Sequence, residues 1–221
     1  MIDINHYISK LTDLLKQQFG SNLIYVGLQG SYMRGEATEH SDIDIMVVLN
    51  SIGIDELDHY KNIVKSMEYA ERSCGFICSK ADIACWNPLE ICHLIHTTKD
   101  FYGELKTLIP AYTSEDIRNF VKMSVNNVYH AICHGYIHGT ISDNVAGLTA
   151  IYKSLFFILQ NLHYLERGDF ITTKEALLCA LEGQHYEIMK HAMDLNNGAS
   201  FAFEQSFQLL LTWCQSVMQA V

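Results

Sequence analysis

From Tyr25 to Leu49 the chain reads YVGLQGSYMRGEATEHSDIDIMVVL, and no other stretch restricts its fold as strongly. Two short runs rich in aliphatic and aromatic residues, 22–28 and 43–49, have the make-up of buried strands. Between them lies a polar, glycine-punctuated stretch, Gly30 to Ser41, that suits a loop or short helix. A sheet of such strands needs apolar cover. Residues 3–18 supply some, with Ile4, Ile8, Leu11, Leu14, Leu15 and Phe19 at helical spacing and Gly20 as a stop. A second helix is expected over 55–73, with Leu57, Tyr60, Ile63, Val64 and Met67 on one face. Residues 76–86 (FICSKADIACW) read as a third strand with a break at Ser79-Lys80.

Beyond about residue 110 the pattern becomes helical throughout. Ser114-Glu115-Asp116 is a helix-start signal, and that helix should run to about His138. A turn at 139–143 and helices over about 144–167, 173–182, 185–194 and 200–219 complete the chain. The expected fold is α+β: a small mixed-sheet domain over 1–110, then an all-helical bundle over 111–221. Only two prolines occur, at Pro88 and Pro110, which favours long helices and a short linker. No run of 18 uninterrupted apolar residues and no signal-peptide pattern is present, so a soluble, cytoplasmic protein away from membranes is expected. The seven cysteines (74, 78, 85, 92, 133, 179 and 214) are scattered and read as reduced thiols.

Net charge is −10, with 15 acidic and nine basic residues before residue 111 and ten and six after it. Binding nucleic acid generally needs clustered Lys and Arg, so an acid excess in both halves argues against that class of partner. It suits a small acceptor better, a cationic one included.

The chemistry concentrates at residues 30–44. Side chains alternate faces along a strand, so Asp42 and Asp44 project to one side, about 6–7 Å apart. Two carboxylates so placed repel unless a cation lies between them. Magnesium takes a few carboxylates plus substrate phosphate oxygens, and two such ions could clamp the attacking and leaving oxygens of an in-line displacement. Gly30 lets backbone N–H groups approach a phosphate, and Ser31 adds a hydroxyl donor. A helix starting there would favour the anion further, and Arg34 places a cation nearby. Each part alone is ordinary loop or strand-end material; the ordered combination strand–GS–x–x–RG–SDID–strand is far more restrictive.

Gly30-Ser31 through Ser41-Asp42-Ile43-Asp44 resembles the signature of the DNA polymerase β nucleotidyltransferase superfamily. The short chain and helical second half are similar to antibiotic (aminoglycoside-type) nucleotidyltransferases within it. The signature covers about 25 residues, and the domain order extends the likeness more weakly to the whole chain. The resemblance implies a magnesium-dependent adenylyltransferase, moving AMP from ATP to an acceptor hydroxyl with release of pyrophosphate. Gly30, Ser31, Arg34 and Ser41 would hold the nucleotide, and Asp42 and Asp44 two Mg2+ ions. A third carboxylate is implied on a later strand, as metal ligand or as base for the hydroxyl. Asp82, the one acid in its apolar run, is expected there, with Glu90 as the competitor.

The segment Tyr164 to Lys174 (YLERGDFITTK) resembles the helix–Gly–turn–Lys stretch of streptomycin/spectinomycin-type enzymes, where a lysine approaches the phosphates. Lys174 is the candidate and Lys153 a second. His130, His134 and His138 share a helix face and read as an amphipathic stripe rather than a metal site, since zinc needs a further ligand. The aromatic run Tyr152, Phe156, Phe157 and Tyr164 reads as core. Three other readings remain: a toxin-like enzyme acting on protein or tRNA, a non-catalytic nucleotide-binding module, or a structural protein. No P-loop, dinucleotide fingerprint, zincin or nucleophile-elbow motif is present.

Overall fold

The computed structural model describes residues 2–221, the side chains of 141–144 excepted. The chain divides into two compact units, Met1–Ala111 and Tyr112–Val221.

The first unit is built on a four-stranded sheet in the order β3-β2-β1-β4, with β1 Leu23–Leu28, β2 Ile43–Leu49, β3 Ser73–Ser79 and β4 Lys99–Tyr102. β2 and β4 run antiparallel to β1, whereas β3 runs parallel to β2. The sheet is therefore mixed, as the sequence led us to expect. Parallel neighbours need a crossover, here supplied by α3 (Ile54–Ser66) and a 3-10 turn at Ala70–Arg72.

β2 reads as an unbroken apolar run because both its faces are covered. Ile43, Ile45, Val47 and Leu49 pack in one layer with Ile8, Leu11 and Leu15 of α1 (Ile4–Phe19). Met46 and Val48 pack in the other layer, with Tyr25, Ile83, Leu94 and Leu105. Each such aliphatic side chain contributes about 1.5–3 kcal/mol by leaving water.

Between the strands lie α2 (Gly30–Arg34), α4 (Lys80–Ala84) and α5 (Pro88–His96). The third strand expected over 76–86 ends instead at Ser79. Ser79 caps α4 by accepting from the Asp82 N–H (3.1 Å), and the Asp82 carboxylate accepts from the Ser79 N–H (2.9 Å) and hydroxyl (2.6 Å). This reciprocal cap satisfies donors that a continuing strand would pair with a neighbour.

The second unit holds α6 (Ser114–His138), α7 (Ile141–Arg167), α8 (Lys174–Ala180), α9 (Gly183–Asn196) and α10 (Phe203–Ala220). Thr113 and Asp116 form a second reciprocal cap at the start of α6. Residues 145–167 of α7 are long and apolar enough to cross a membrane by length and composition alone. In this unit they are the central helix, with Tyr152, Leu155, Phe156, Leu159 and Leu162 in the core. Gln160 and Asn161, also buried there, bond to the Ile171 and Phe157 carbonyls. Of the aromatic run, Tyr152 and Phe156 are core while Phe157 is exposed.

Candidate active site

Alternation along β2 decides which side chains meet. Asp44 shares its face with Met46 and Val48, on the side of the sheet covered from α4 and α5, and Asp42 immediately precedes the strand. Antiparallel pairing places Gln29 opposite Asp44, where the Gln29 N–H donates to the Asp44 carbonyl at 2.9 Å. Gly30 follows with φ 66, and its missing Cβ would occupy the space of the Asp44 carboxylate. The two ends of the motif, 14 residues apart in sequence, are thus in direct contact. α2 is short, and the N–H groups of its first turn have no partner within the helix. They and the Ser31 hydroxyl form the donor side of the site.

The carboxylate side is electrostatically loaded. Asp44 is half-buried, and burial raises its proton affinity above the usual carboxylate range. A hydrogen bond from the Cys74 thiol opposes this, the neighbouring Asp42 charge adds to it, and Arg34 lowers it again. A half-buried carboxylate beside a second one is the condition that a bound cation relieves. Two carboxylate oxygens suit hard Mg2+, which leaves its remaining positions to phosphate oxygens and water. Among the described residues, no three His, Cys, Asp or Glu side chains are gathered to hold a metal by themselves.

Arg34 stands at the same face, largely buried and ion-paired through Nε to Glu36 at 2.9 Å. Its field reaches both Asp44 and His93 of α5. Burial, then Arg34 and His96, push His93 down to about 4, so it is neutral at physiological pH. Beyond Gln29, whose amide donates to the Thr98 hydroxyl at 2.8 Å, the polar strip continues onto the segment leading into β4.

One expectation needs correction. Asp82 does not adjoin Asp42 and Asp44. Parallel pairing sets Asp44 against Cys74 and Leu49 against Ser79. Ser79 thus lies five residues along the strand from the aspartates, about 17 Å, and Asp82 follows it in α4. Its carboxylate is exposed, and its proton affinity is lowered by the Ser79 hydroxyl and backbone N–H. Asp82 is placed as the reciprocal cap of α4, away from the aspartate pair. Ser41 is bonded within its loop: its hydroxyl accepts the Thr38 N–H at 2.8 Å and its carbonyl accepts two bonds from Arg72. Glu90 accepts from the Trp86 indole N–H at 2.7 Å, at the start of α5.

Gly30, Ser31, Arg34, Asp42 and Asp44 are brought together. Arg72, Cys74, Gln29, His93 and Thr98 join them without having been singled out in the sequence. A strand–helix–strand crossover implies parallel strands, and that signal could have placed the start of the third strand, with Cys74, beside Asp44.

Lys174 opens α8 in the second unit, its ammonium 5.8 Å from the centre of the Phe156 ring. With Lys153, Tyr152, Phe156, Met193 and Asn196 it lines a cavity of about 210 Å3. His130, His134 and His138 are exposed along α6, with successive ring centres 5.9 and 4.8 Å apart.

In comparison with known proteins, residues 8–74 match a family model described as a nucleotidyltransferase domain. A curated Methanocaldococcus jannaschii sequence, described as "Putative protein adenylyltransferase", is 36% identical over 58 residues; the match spans 26% of this chain and 40% of that protein. Among solved structures, the spectinomycin adenyltransferase AAD(9) from Enterococcus faecialis, with ATP and spectinomycin, aligns over 97% of this chain and 99% of that one, at a TM-score of 0.59 and 15% identity. That likeness is one of fold. A nucleotidyltransferase-like protein from Exiguobacterium sibiricum 255-15 covers 96% of this chain and 75% of its own at 12% identity, with a TM-score of 0.44.

Proposed function

We propose that this protein, whose residues 8–74 match a nucleotidyltransferase domain, is a magnesium-dependent adenylyltransferase that transfers AMP from ATP to a hydroxyl of a small-molecule acceptor. The observation that carries the reading is the contact of Gly30 with the Asp44 carboxylate, which sets phosphate donors against paired acids. In the reaction the acceptor oxygen bonds to the α-phosphorus as the bond to the bridging oxygen breaks. Pyrophosphate leaves with that electron pair, and the hydroxyl proton passes to solvent. Such a transfer needs chiefly positioning and charge neutralisation.

The backbone N–H groups at Gly30 and Ser31 hold the triphosphate, and Arg34 adds positive field. Asp42 and Asp44 would hold Mg2+, which would supply charge neutralisation on the phosphate oxygens. In this reading Lys174 is assigned to the nucleotide's phosphates, with Lys153, which lines the same cavity of the helical unit, as the alternative. The 1–110 unit is the catalytic domain and the helical unit holds the acceptor. The acid excess favours a cationic acceptor such as an aminoglycoside-like antibiotic, and the whole-length likeness of fold to a spectinomycin adenyltransferase supports the same class. A second acceptor class, a protein hydroxyl, is supported by the 58-residue match to a protein adenylyltransferase.

The test is transfer of label from α-32P-ATP in the presence of Mg2+, with spectinomycin, streptomycin, a lincosamide, tRNA and a protein mixture as acceptors. Labelled acceptor and pyrophosphate should appear together, vanish with chelator and be absent in Asp44→Asn. No labelled product with any acceptor, together with no binding of Mg2+-ATP, would overturn the proposal.

A further inference from the structure

The run from Gly35 to Asp42 links the phosphate-binding turn to the aspartate pair, and it has little regular structure of its own. Its ties are mostly local: the Glu36 N–H reaches the Ser31 carbonyl at 2.9 Å, the Ser41 N–H the Thr38 carbonyl at 3.2 Å, the Thr38 N–H the Ser41 hydroxyl, the His40 N–H the Thr38 hydroxyl at 3.3 Å, and Arg34 pairs with Glu36. Loops so tied are the mobile parts of a fold. A side chain from further along the chain adds to these ties. Arg72 ends the 3-10 turn before β3, and the pairing of Ile43 with Ser73 brings it alongside Asp42. Its Nε and Nη2 donate to the Ser41 carbonyl at 3.0 and 2.6 Å. Nη2 also donates to the Thr38 carbonyl at 3.3 Å and to the Tyr32 hydroxyl at 2.9 Å. Tyr32 is the buried residue of α2. A single planar fork thus ties the helix carrying Gly30 and Ser31 to the residue preceding Asp42. A lysine in its place would offer a point charge instead of a fork.

We infer that Arg72 is a positioning residue for nucleotidyl transfer, fixing the Gly30–Ser31 donors and the Asp42–Asp44 carboxylates in mutual register without touching either. This rests on the adenylyltransferase reading for its catalytic consequence, though not for its structural one. Misplacing catalytic groups by about 1 Å can cost about 100-fold in rate. Arg72→Ala should therefore lower kcat about 10- to 100-fold while KM for ATP stays within about threefold. Arg72→Lys should recover only part of the loss. Free guanidinium at tens of millimolar should restore part of the activity of the alanine variant and none in the wild type.

Amide hydrogen exchange read by mass spectrometry gives a measure independent of turnover. Residues 36–42 should exchange faster in Arg72→Ala, the remainder of the sheet being unchanged. Should that variant not fold, Tyr32→Phe and Arg72→Lys carry the same test, each with faster exchange confined to 36–42 and a reduced kcat. A folded Arg72→Ala with wild-type kcat, or wild-type exchange at 36–42 in the folded variants, overturns the inference. If the wild type transfers no nucleotide at all, the functional reading fails, and the exchange experiment still decides what Arg72 holds in place.

Discussion

Two glycines bracket α2, and together they separate backbone strain from site chemistry. Gly30 and Gly35 both have left-handed backbones, φ 66 and 74. A Cβ on Gly35 would meet nothing within 4 Å, whereas a Cβ on Gly30 would enter the space of the Asp44 carboxylate. Alanine at either position incurs the left-handed penalty of about 1–2 kcal/mol. For a unit of this size that corresponds to a melting temperature lowered by roughly 3–10 °C. Only Gly30→Ala must also turn the Asp44 side chain away from the phosphate donors, so it alone should lose about 100-fold or more in transfer rate. Gly35→Ala should keep turnover within a few-fold at temperatures where both remain folded. Calorimetric unfolding, titration with Mg2+-ATP and the label-transfer assay measure the three quantities separately. Equal losses of turnover in the two variants would refute the reasoning, because strain shared by both would then account for the whole effect.

Other substitutions read single features of the site. Burial, the leading influence on Asp44, raises its folded proton affinity, so its contribution to stability is fullest below the unfolded carboxylate pKa and is lost as pH rises through the folded one. Asp44→Asn should therefore raise the melting temperature of the metal-free protein more at pH 7.5 than at pH 4 while abolishing transfer; a lower melting temperature at pH 7.5 would contradict this. Asp82→Asn should keep kcat within about twofold, because its carboxylate caps a helix far along the sheet; a loss near the 100-fold typical of a missing general base would restore its catalytic role. Ser79→Ala should cost about 1 kcal/mol in denaturant unfolding as the capping hydroxyl is lost, again with turnover retained. Cys74→Asp should tighten Mn2+ binding measured by electron paramagnetic resonance and lower the melting temperature of the metal-free protein, and unchanged values of both would mean that residue 74 does not face the aspartates.

What the sequence disclosed follows from how local each signal is. The periodicity of Ile8, Leu11 and Leu15, the apolar run Ile43–Leu49 and the helical second half are local patterns, and all became the elements expected. β4 was not visible because its four residues, Lys99-Asp100-Phe101-Tyr102, are half charged at an exposed edge. The segment 80–86 carried two competing signals: apolar Ile83 and Trp86 suggested a strand, while Ser79-x-x-Asp82 is a helix cap. The cap prevails because it satisfies backbone donors that the end of β3 leaves open. Arg72 could not be read at all, since its partners are carbonyls and a hydroxyl 31 to 40 residues away with no sequence signature.

The misplacement of the third carboxylate has a deeper cause, and it bears on the chemistry. An acid sought on the strand after β2 can lie at either end of that strand, and residue type alone does not say which. The crossover through α3 makes β3 parallel, so its start, not its end, lies beside the start of β2. Cys74 holds that place, and its thiol donates to Asp44 in place of a further negative charge. The first unit therefore presents two carboxylates, one half-buried and one exposed, with Arg34 close enough to offset part of their repulsion. A third charge at Cys74 would strengthen attraction for a cation and, with none bound, would push the proton affinity of Asp44 higher still. With a thiol there, cation affinity in this unit depends more on phosphate oxygens, so binding of metal and of nucleotide should be strongly coupled.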